Sequence, residues 1–373
     1  MKIDVKDLGP LSLGAAILGT GGGGDPYIGR LALQHLIERT GMPTVIGLDD
    51  LDDDAFVITV GMSGSPSVML EKLVDHSFGD AALRRFERLV GRRADAIMPV
   101  EIGGLNSLIP LMTSCLTRLP VIDGDGMGRA FPTLDRTSFG IAGISAFPVV
   151  TINERAEVAI VEASSHERGE RIARSALVAM GASGSCAFYP MTGREAKQTA
   201  VRGTLSLALA LGRAVETARA AKADPFQAIL DVAAAANPPI EGRILFSGKI
   251  NDIVRQTVGG YNIGSGTLSS IEGDGEASFS FQNEFTHIRS GERLLAVVPD
   301  LISFLDSETA HPVTCETIRY GQRITVMGFS AAPHFRTPDG LATTGPASFG
   351  LADDYVPIEL LNPVAEGRAT LSA

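Results

Sequence analysis

The sequence predicts an α/β domain with a mostly parallel sheet, followed by a β-rich module. Two observations lead there. In the first half, short apolar runs alternate with amphipathic stretches, the pattern of strands and covering helices. From Gly242 to Val326 the texture changes to short alternating segments broken by glycine, as in a barrel or sandwich. The length of 373 residues fits two units better than one small core.

In chain order, "PTVIGL" (43–48), "AFVITVG" (55–61), "ADAIMPV" (94–100) and "LPVIDGD" (119–125) read as buried strands, each short, β-branched and ended by Gly or Asp. A helix is expected over 28–39, with Asp25 as cap and Pro26 in the first helical position. Further helices are expected over 68–74, 80–90 and 104–116. "LSLGAAIL", just before the first glycine run, also reads as a helix rather than a strand. "FPVVTINERAEVAIVEAS" (147–164) suggests a hairpin. Helices follow over 168–180 and, for nearly 30 Ala-rich residues, over 193–222; a shorter one starts at Asp224-Pro225. The long one is expected to be a core helix or a subunit contact. The expected division is 1–240 for the α/β domain and 241–335 for the β-rich domain, with the tail 336–373 packing back on the first.

Composition narrows the function. The chain is 45% hydrophobic and 20% charged, with a net charge of −11 and no basic run. Such a surface repels phosphate backbones, which argues against nucleic acid as a partner. No apolar stretch reaches the ~18 residues of a membrane span, and the acidic start does not read as a secretory signal. Cys115, Cys186 and Cys315 form no CxxC pair, so neither a disulfide framework nor a zinc ribbon is expected. A cytoplasmic setting follows as the expectation.

The run "LGTGGGGDPY" satisfies G-x-G-x-x-G, with Asp49-Asp50 at ribose distance. Its context disagrees: a helix precedes it, and an acid, Asp25, stands where a pyrophosphate needs bare amides. A turn, or a pocket-lining loop formed by Gly21, Gly22, Gly23, Gly24 and Asp25, reads better than a nucleotide site.

Three more stretches set polar groups in glycine at the ends of expected strands: "GMSGSPS" (61–67), "PVEIGGLNSL" (99–108) and "PVIDGDGMGRAFP" (120–132). Ligands of open α/β sheets bind at the carboxyl ends of the strands. Ser63, Ser65, Glu101, Asn106, Asp123, Asp125 and Arg129 are therefore expected along one edge, under the glycine loop. Neighbouring carboxyls push one another's pKa apart, so Glu101, Asp123 and Asp125 could share a proton, position a water or hold a divalent cation. The competing reading makes Asp123 and Asp125 Asx-turn or helix caps. The histidines show no HxH or HxxxH spacing; His287 and His334 are the weak metal candidates. Cys186 reads as a loop residue without a base beside it.

The ordered series "LGTGGGGDPY", "PVEIGGLNSL", "DGDGMGRAFP", "GKINDIVRQTVGGYNIG", "VVPDLISFLDSETAHPV" and "TPDGLATTGPASFG" resembles the S-methyl thiohydantoin desulfurase family over about residues 8–358. The resemblance implies a three-layer α/β domain and a barrel-like C-terminal domain. It also implies hydrolysis of a small heterocyclic substrate, a thiohydantoin or hydantoin-like ring, in which water replaces a sulfur substituent. On the residue reading, Asp123 or Asp125 would serve as base with Glu101 sharing its proton. Arg129 would hold a substrate carboxylate, and the Gly21–Gly24 amides would be donors; a divalent metal is the alternative activator of water. A non-catalytic accessory subunit of a hydantoinase or oxoprolinase-type enzyme is the competing expectation. A homo-oligomer or such a partner stays open.

Overall fold

The computed structural model describes residues 1–64, 68, 78–271 and 273–363. Ser65 and all but the first residue of the helix expected over 68–74 lie outside the described residues.

The first sheet is built from β1 (Val45–Ile46), β2 (Phe56–Gly64), β3 (Ala96–Pro99), β4 (Val121–Ile122), β6 (Val149–Ile152), β7 (Val158–Val161) and β8 (Ser183–Thr192), in the order β1-β4-β3-β2-β8-β6-β7. The β1-β4-β3-β2 part is parallel, and β8, β6 and β7 extend it antiparallel. The β-branched runs become its centre: Val57, Ile58, Val60 and Ile97 are fully buried. A short ribbon pairs β5 (Gly124–Asp125) with β9 (Val201–Arg202).

"LSLGAAIL" lies within α1 (Leu8–Leu18), and α2 (Pro26–Thr40) starts where its Asp25 cap accepts from the Tyr27 amide at 2.8 Å. Next come α3 (Phe78–Val90), α4 (Ile109–Thr117) and α5 (His166–Ala179). The single helix expected over 193–222 is two. Gly193–Thr199 ends at an extended Ala200, and after β9 the left-handed Gly203 (φ 70) starts α6 (Thr204–Ala220). Asp123 reaches across to cap α6. Two glycines then let α1 and α6 touch backbone to backbone. A Cβ on Gly14 would stand 1.7 Å from the Ala208 carbonyl oxygen, and one on Gly212 would stand 1.8 Å from that of Pro10. α7 (Pro225–Ala234) follows.

The second sheet is antiparallel throughout. It contains β10 (Gly242–Val258), β11 (Tyr261–Ser270), β12 (Glu276–Gln282), β13 (Glu284–Ser290), β14 (Arg293–Val297), β15 (Leu301–Asp306) and β16 (Arg323–Phe329), in the order β14-β13-β12-β11-β10-β16-β15. It curls into a half-barrel, bringing β13 and β14 against β15. Inside, the alternate positions carry Phe279, Phe281, Phe285 and Phe304, all buried. The Phe279 and Phe304 rings meet edge to face at 4.8 Å. The tail returns to both sheets' surroundings. The Arg136 guanidinium donates to the Ser348 carbonyl, and the Ile358 amide donates to Asp300.

Candidate active site

The cavity of interest opens at the carboxyl ends of β2 and β3, and its volume is about 80 Å³. The end of β2 supplies Met62, Ser63 and Gly64, and the end of β3 leads into Val100 and Glu101. Gly23 and Gly24 form one lip, Asn283 comes from the turn between β12 and β13, and Glu284 is the first residue of β13. Apolar walls come from Leu105, Met127, Phe131, Val149, Leu177 and Phe188.

The glycine loop is a sutured turn. Thr20, Gly21, Gly23 and Gly24 all have positive φ, so the chain doubles back immediately after α1. The Thr20 carbonyl accepts from the Phe285 amide and the Gly21 carbonyl from the Cys315 amide, both at 2.9 Å, tying the loop to the second sheet. On its other side the Gly24 carbonyl accepts from the Leu105 amide at 3.1 Å. Gly22 carries no side chain where one would strike Glu284, whose Oε1 lies 2.0 Å from the ideal Cβ position.

Two buried carboxyls define the polar end. Glu101 accepts from the Asn106 side-chain amide at 2.5 Å and from the Phe131 amide at 3.3 Å. Asn106 is fully engaged, since its Oδ1 accepts from the Met62 amide and its Nδ2 also donates to the Met62 carbonyl. Burial pushes the Glu101 carboxyl up to about 7, against the pull of these hydrogen bonds and of Arg129. Glu284 is 3% exposed, and its Oε2 has no hydrogen-bond partner. Burial, and then the nearby Glu101 carboxyl, hold it well above the usual carboxylate range, with Arg129 opposing. Facing them, α5 contributes Glu170 and Arg174, paired at 2.6 Å with side chains 7% and 10% exposed.

Family models described as "S-Me-THD-like, N-terminal domain" and "S-Me-THD-like, C-terminal domain" match residues 6–163 and 164–358. The chain belongs to the S-Me-THD-like family. The family's name links the chain to thiohydantoin-related chemistry. A crystal structure of a structural-genomics target protein from Chromobacterium violaceum is similar in fold. It is 23% identical, with a TM-score of 0.81, over 96% of this chain and 100% of that one. No curated protein matches the chain.

In this S-Me-THD-like chain the expected trio of acids does not share a hollow. Asp123 caps α6: its Oδ1 accepts from the Leu205 and Ser206 amides at 3.0 and 3.1 Å, and its Oδ2 takes the Ser206 hydroxyl. Asp125 is fully buried and organises the following loop, accepting from the amides of Gly128, Met127 and Ile102. Both acids therefore serve the turn and cap roles weighed against catalysis. Arg129 cannot offer a free fork to a substrate carboxylate. It is 1% exposed, with Nε on the Ala130 carbonyl, Nη1 on those of Pro299 and Asp300, and Nη2 on Thr20 Oγ1. It staples the glycine loop to the second sheet. Asp25 is spent on the α2 cap, and Gly21 packs against Phe285 and Cys315.

Glu101, Asn106, Gly23, Gly24 and Ser63 do meet at the cavity. His287 pairs with Ser280 at 2.7 Å on β13, and His334 sits in the Pro333–Arg336 turn; neither lines it. Among the described residues, no three His, Cys, Asp or Glu gather in a metal-binding group. Cys186 lies in β8, not a loop. Burial pushes its thiol up to about 12, and it donates to the Gly61 carbonyl, so it is a wall and not a nucleophile. Glu284, Glu170 and Arg174 escaped the sequence reading. In "FQNEFTHI" nothing in the pattern sets Glu284 apart as a buried carboxyl. Glu170 and Arg174, at i and i+4 in "ERGERIARS", look like an ordinary solvated helix pair.

Proposed function

We propose that the protein is a hydrolase that removes the sulfur substituent from an S-alkylated thiohydantoin-like ring, with Glu101 as general base and Glu284 as general acid. One observation carries the reading: two buried carboxyls, contributed by opposite sheets, stand together at one end of a cavity that the Glu170–Arg174 pair faces. In this reading Glu101, at about 7, is the carboxyl that gives up its proton, and Glu284, held well above the usual carboxylate range by burial and by Glu101, is the one that carries it.

The ring carbon between two nitrogens is amidine-like. Glu101 takes a proton from water as its oxygen bonds to that carbon, while Glu284 protonates the ring nitrogen that receives the C=N electron pair. The tetrahedral species then collapses. The C–S bond breaks, Glu101 returns its proton to the departing sulfur, and the hydroxyl proton passes to Glu284 as the new C=O forms. Ring carbonyl and thiol leave, and both carboxyls regain their starting states. Asn106, held from both ends by Met62, fixes the Glu101 carboxyl in place.

An accessory subunit would need a surface for its partner, and the Ala-rich helix is the segment expected as a core helix or a subunit contact. In α6, Leu205, Ala208, Leu209 and Val215 are buried within the chain against α1 and its neighbours, which favours the enzyme reading. The test is methanethiol release from S-methyl thiohydantoins by the pure protein, with and without chelator, beside a Glu284→Gln variant. Release by the wild type and a loss of about a hundredfold or more in the variant are expected. No thiol under any condition, with divalent metals restored, removes the hydrolase reading.

A further inference from the structure

At the amino edge of the first sheet, away from the cavity, the surface carries both signs of charge side by side. A groove of about 420 Å³ runs between the last turns of α3 and α4, and its Ala94 and Leu119 stand just before β3 and β4. Four arginines line it, Arg84, Arg88, Arg92 and Arg93, against one acid, Glu87. Arg84 is paired with Asp80 at 2.6 Å, and Glu87 accepts from the Ala94 amide at 2.9 Å. Arg88 and Arg93 are exposed, and among the described residues no carboxylate pairs with either. Beside the groove lies the most acidic stretch of the sequence, Asp49, Asp50, Asp52, Asp53 and Asp54. Arg92 joins the two: its Nη2 donates to the Asp54 carbonyl at 2.9 Å, and its guanidinium carbon lies 4.7 Å from the centroid of the Phe56 ring. Asp49 is paired with Arg202, Asp53 with Arg194 and Lys197, and Asp50 accepts from the Gly47 amide. Asp52 and Asp54 are exposed, and among the described residues no cation pairs with either.

A local role accounts for part of this. Arg88 sits in the last turn of α3, where a cation offsets the helix dipole. That does not cover Arg93, which lies beyond the helix end, nor Leu89 and Val90, apolar side chains 42% and 37% exposed beside them. A small anion would use the cations and leave those apolar groups in water, whereas a protein surface covers both. An acidic protein of another kind would fill the groove and leave the aspartates as they are. A second copy of this chain serves both patches at once. A two-fold axis between groove and acidic turn sets residues 52–54 of each copy against the arginines of the other. At −11 per chain two copies repel at long range, but physiological salt screens that beyond about 8 Å, and the opposite charges at the contact act inside that distance.

We propose that this face is the contact of a two-fold homodimer, in which Arg88 and Arg93 of one copy meet Asp52 and Asp54 of the other. The inference is independent of the hydrolase reading, because the contact lies at the strand ends remote from the cavity. Molecular mass is measured by sedimentation at micromolar concentrations for the full chain and for two double variants. The wild type is expected to sediment as a dimer. Arg88→Glu with Arg93→Glu sets acids against the partner's aspartates, and Asp52→Lys with Asp54→Lys sets cations against the partner's arginines. Each double variant is expected to associate with itself tenfold or more weakly than the wild type. An equimolar mixture of the two restores opposite signs at both contacts and is expected to regain the wild-type mass.

A wild type that stays monomeric overturns the proposal, including one that is monomeric and binds inorganic phosphate in the groove. Double variants that dimerise as tightly as the wild type overturn it, as does a mixture of the two that stays monomeric. Growth beyond a dimer into chains of increasing length overturns it too, since ridge and groove would then pair head to tail without closing. Thermal melts establish that each variant is folded; where one is not, the wild-type mass and the other variant decide.

Discussion

Glu101 carries a consequence that pH exposes in two ways. As the proposed base it must be ionised, and burial places its pKa at about 7. Thiol release should therefore rise with pH through a limb centred near 7, and Glu101→Gln should abolish the limb while lowering the rate about a hundredfold or more. Stability runs the other way. The folded carboxyl holds its proton to higher pH than the ordinary value of 4.5, so the folded state binds more protons between the two values. The contribution is fully present below pH 4.5 and is lost as pH rises through about 7. Melting temperatures measured from pH 4.5 to 8 should fall with pH, and fall less steeply in Glu101→Gln; an equal slope in the two proteins would mean that Glu101 titrates normally.

Residue by residue, the sequence announced this site unevenly. Glu101 and Asn106 were legible because they directly follow an apolar run and sit in glycine, the signature of a strand end. Asp123 and Asp125 carry the same signature and do different work. Pattern alone does not distinguish a carboxyl that faces a cavity from one that collects backbone amides. Arg129 misled for a related reason, since an arginine in a glycine-rich loop looks available until the carbonyls of Pro299 and Asp300, far along the chain, are known to occupy it.

Among the elements, the glycine loop separates activity from stability within two adjacent positions. Gly22→Ala would drive a methyl into the Glu284 side chain from Cγ to Oε1, 2.6 to 2.0 Å away, so that side chain has to turn aside as a whole. It should lower thiol release strongly while costing little stability. Gly23→Ala meets rigid backbone, the Gly103 carbonyl carbon at 2.5 Å, from a left-handed φ of 77. That variant should lose about 2–5 kcal/mol, combining left-handed strain with overpacking. Chemical denaturation and the thiol assay on the two proteins check both statements, and equal destabilisation would show that Glu284 is locked in place. Strands and most helices of the first lobe were legible from periodicity, as was the hairpin after residue 147. The break at 200–203 was not. Ala200 and Val201 continue an apolar helical pattern, and the pairing of β9 with Gly124–Asp125, followed by the left-handed Gly203, breaks it. Tertiary contact overrode local propensity there.

Taken whole, the molecule does not divide where the two family regions meet, at 163/164. β8, from the second region, lies between β2 and β6 of the first, with Gly61 opposite Cys186 and Thr151 opposite the same cysteine. A fragment of residues 1–163 should therefore show no cooperative thermal transition, whereas the full chain should; sharp calorimetric melting of the fragment would contradict this.

The placement of β8 also bears on synthesis. A ribosome that has released only the first region has delivered two strand groups with facing unpaired edges and nothing to bridge them, the kind of edge that recruits other chains. The missing bridge is Ser183–Thr192, so those emerging residues close the gap. A pause in translation between the two regions would prolong the interval in which nascent chains can pair with one another.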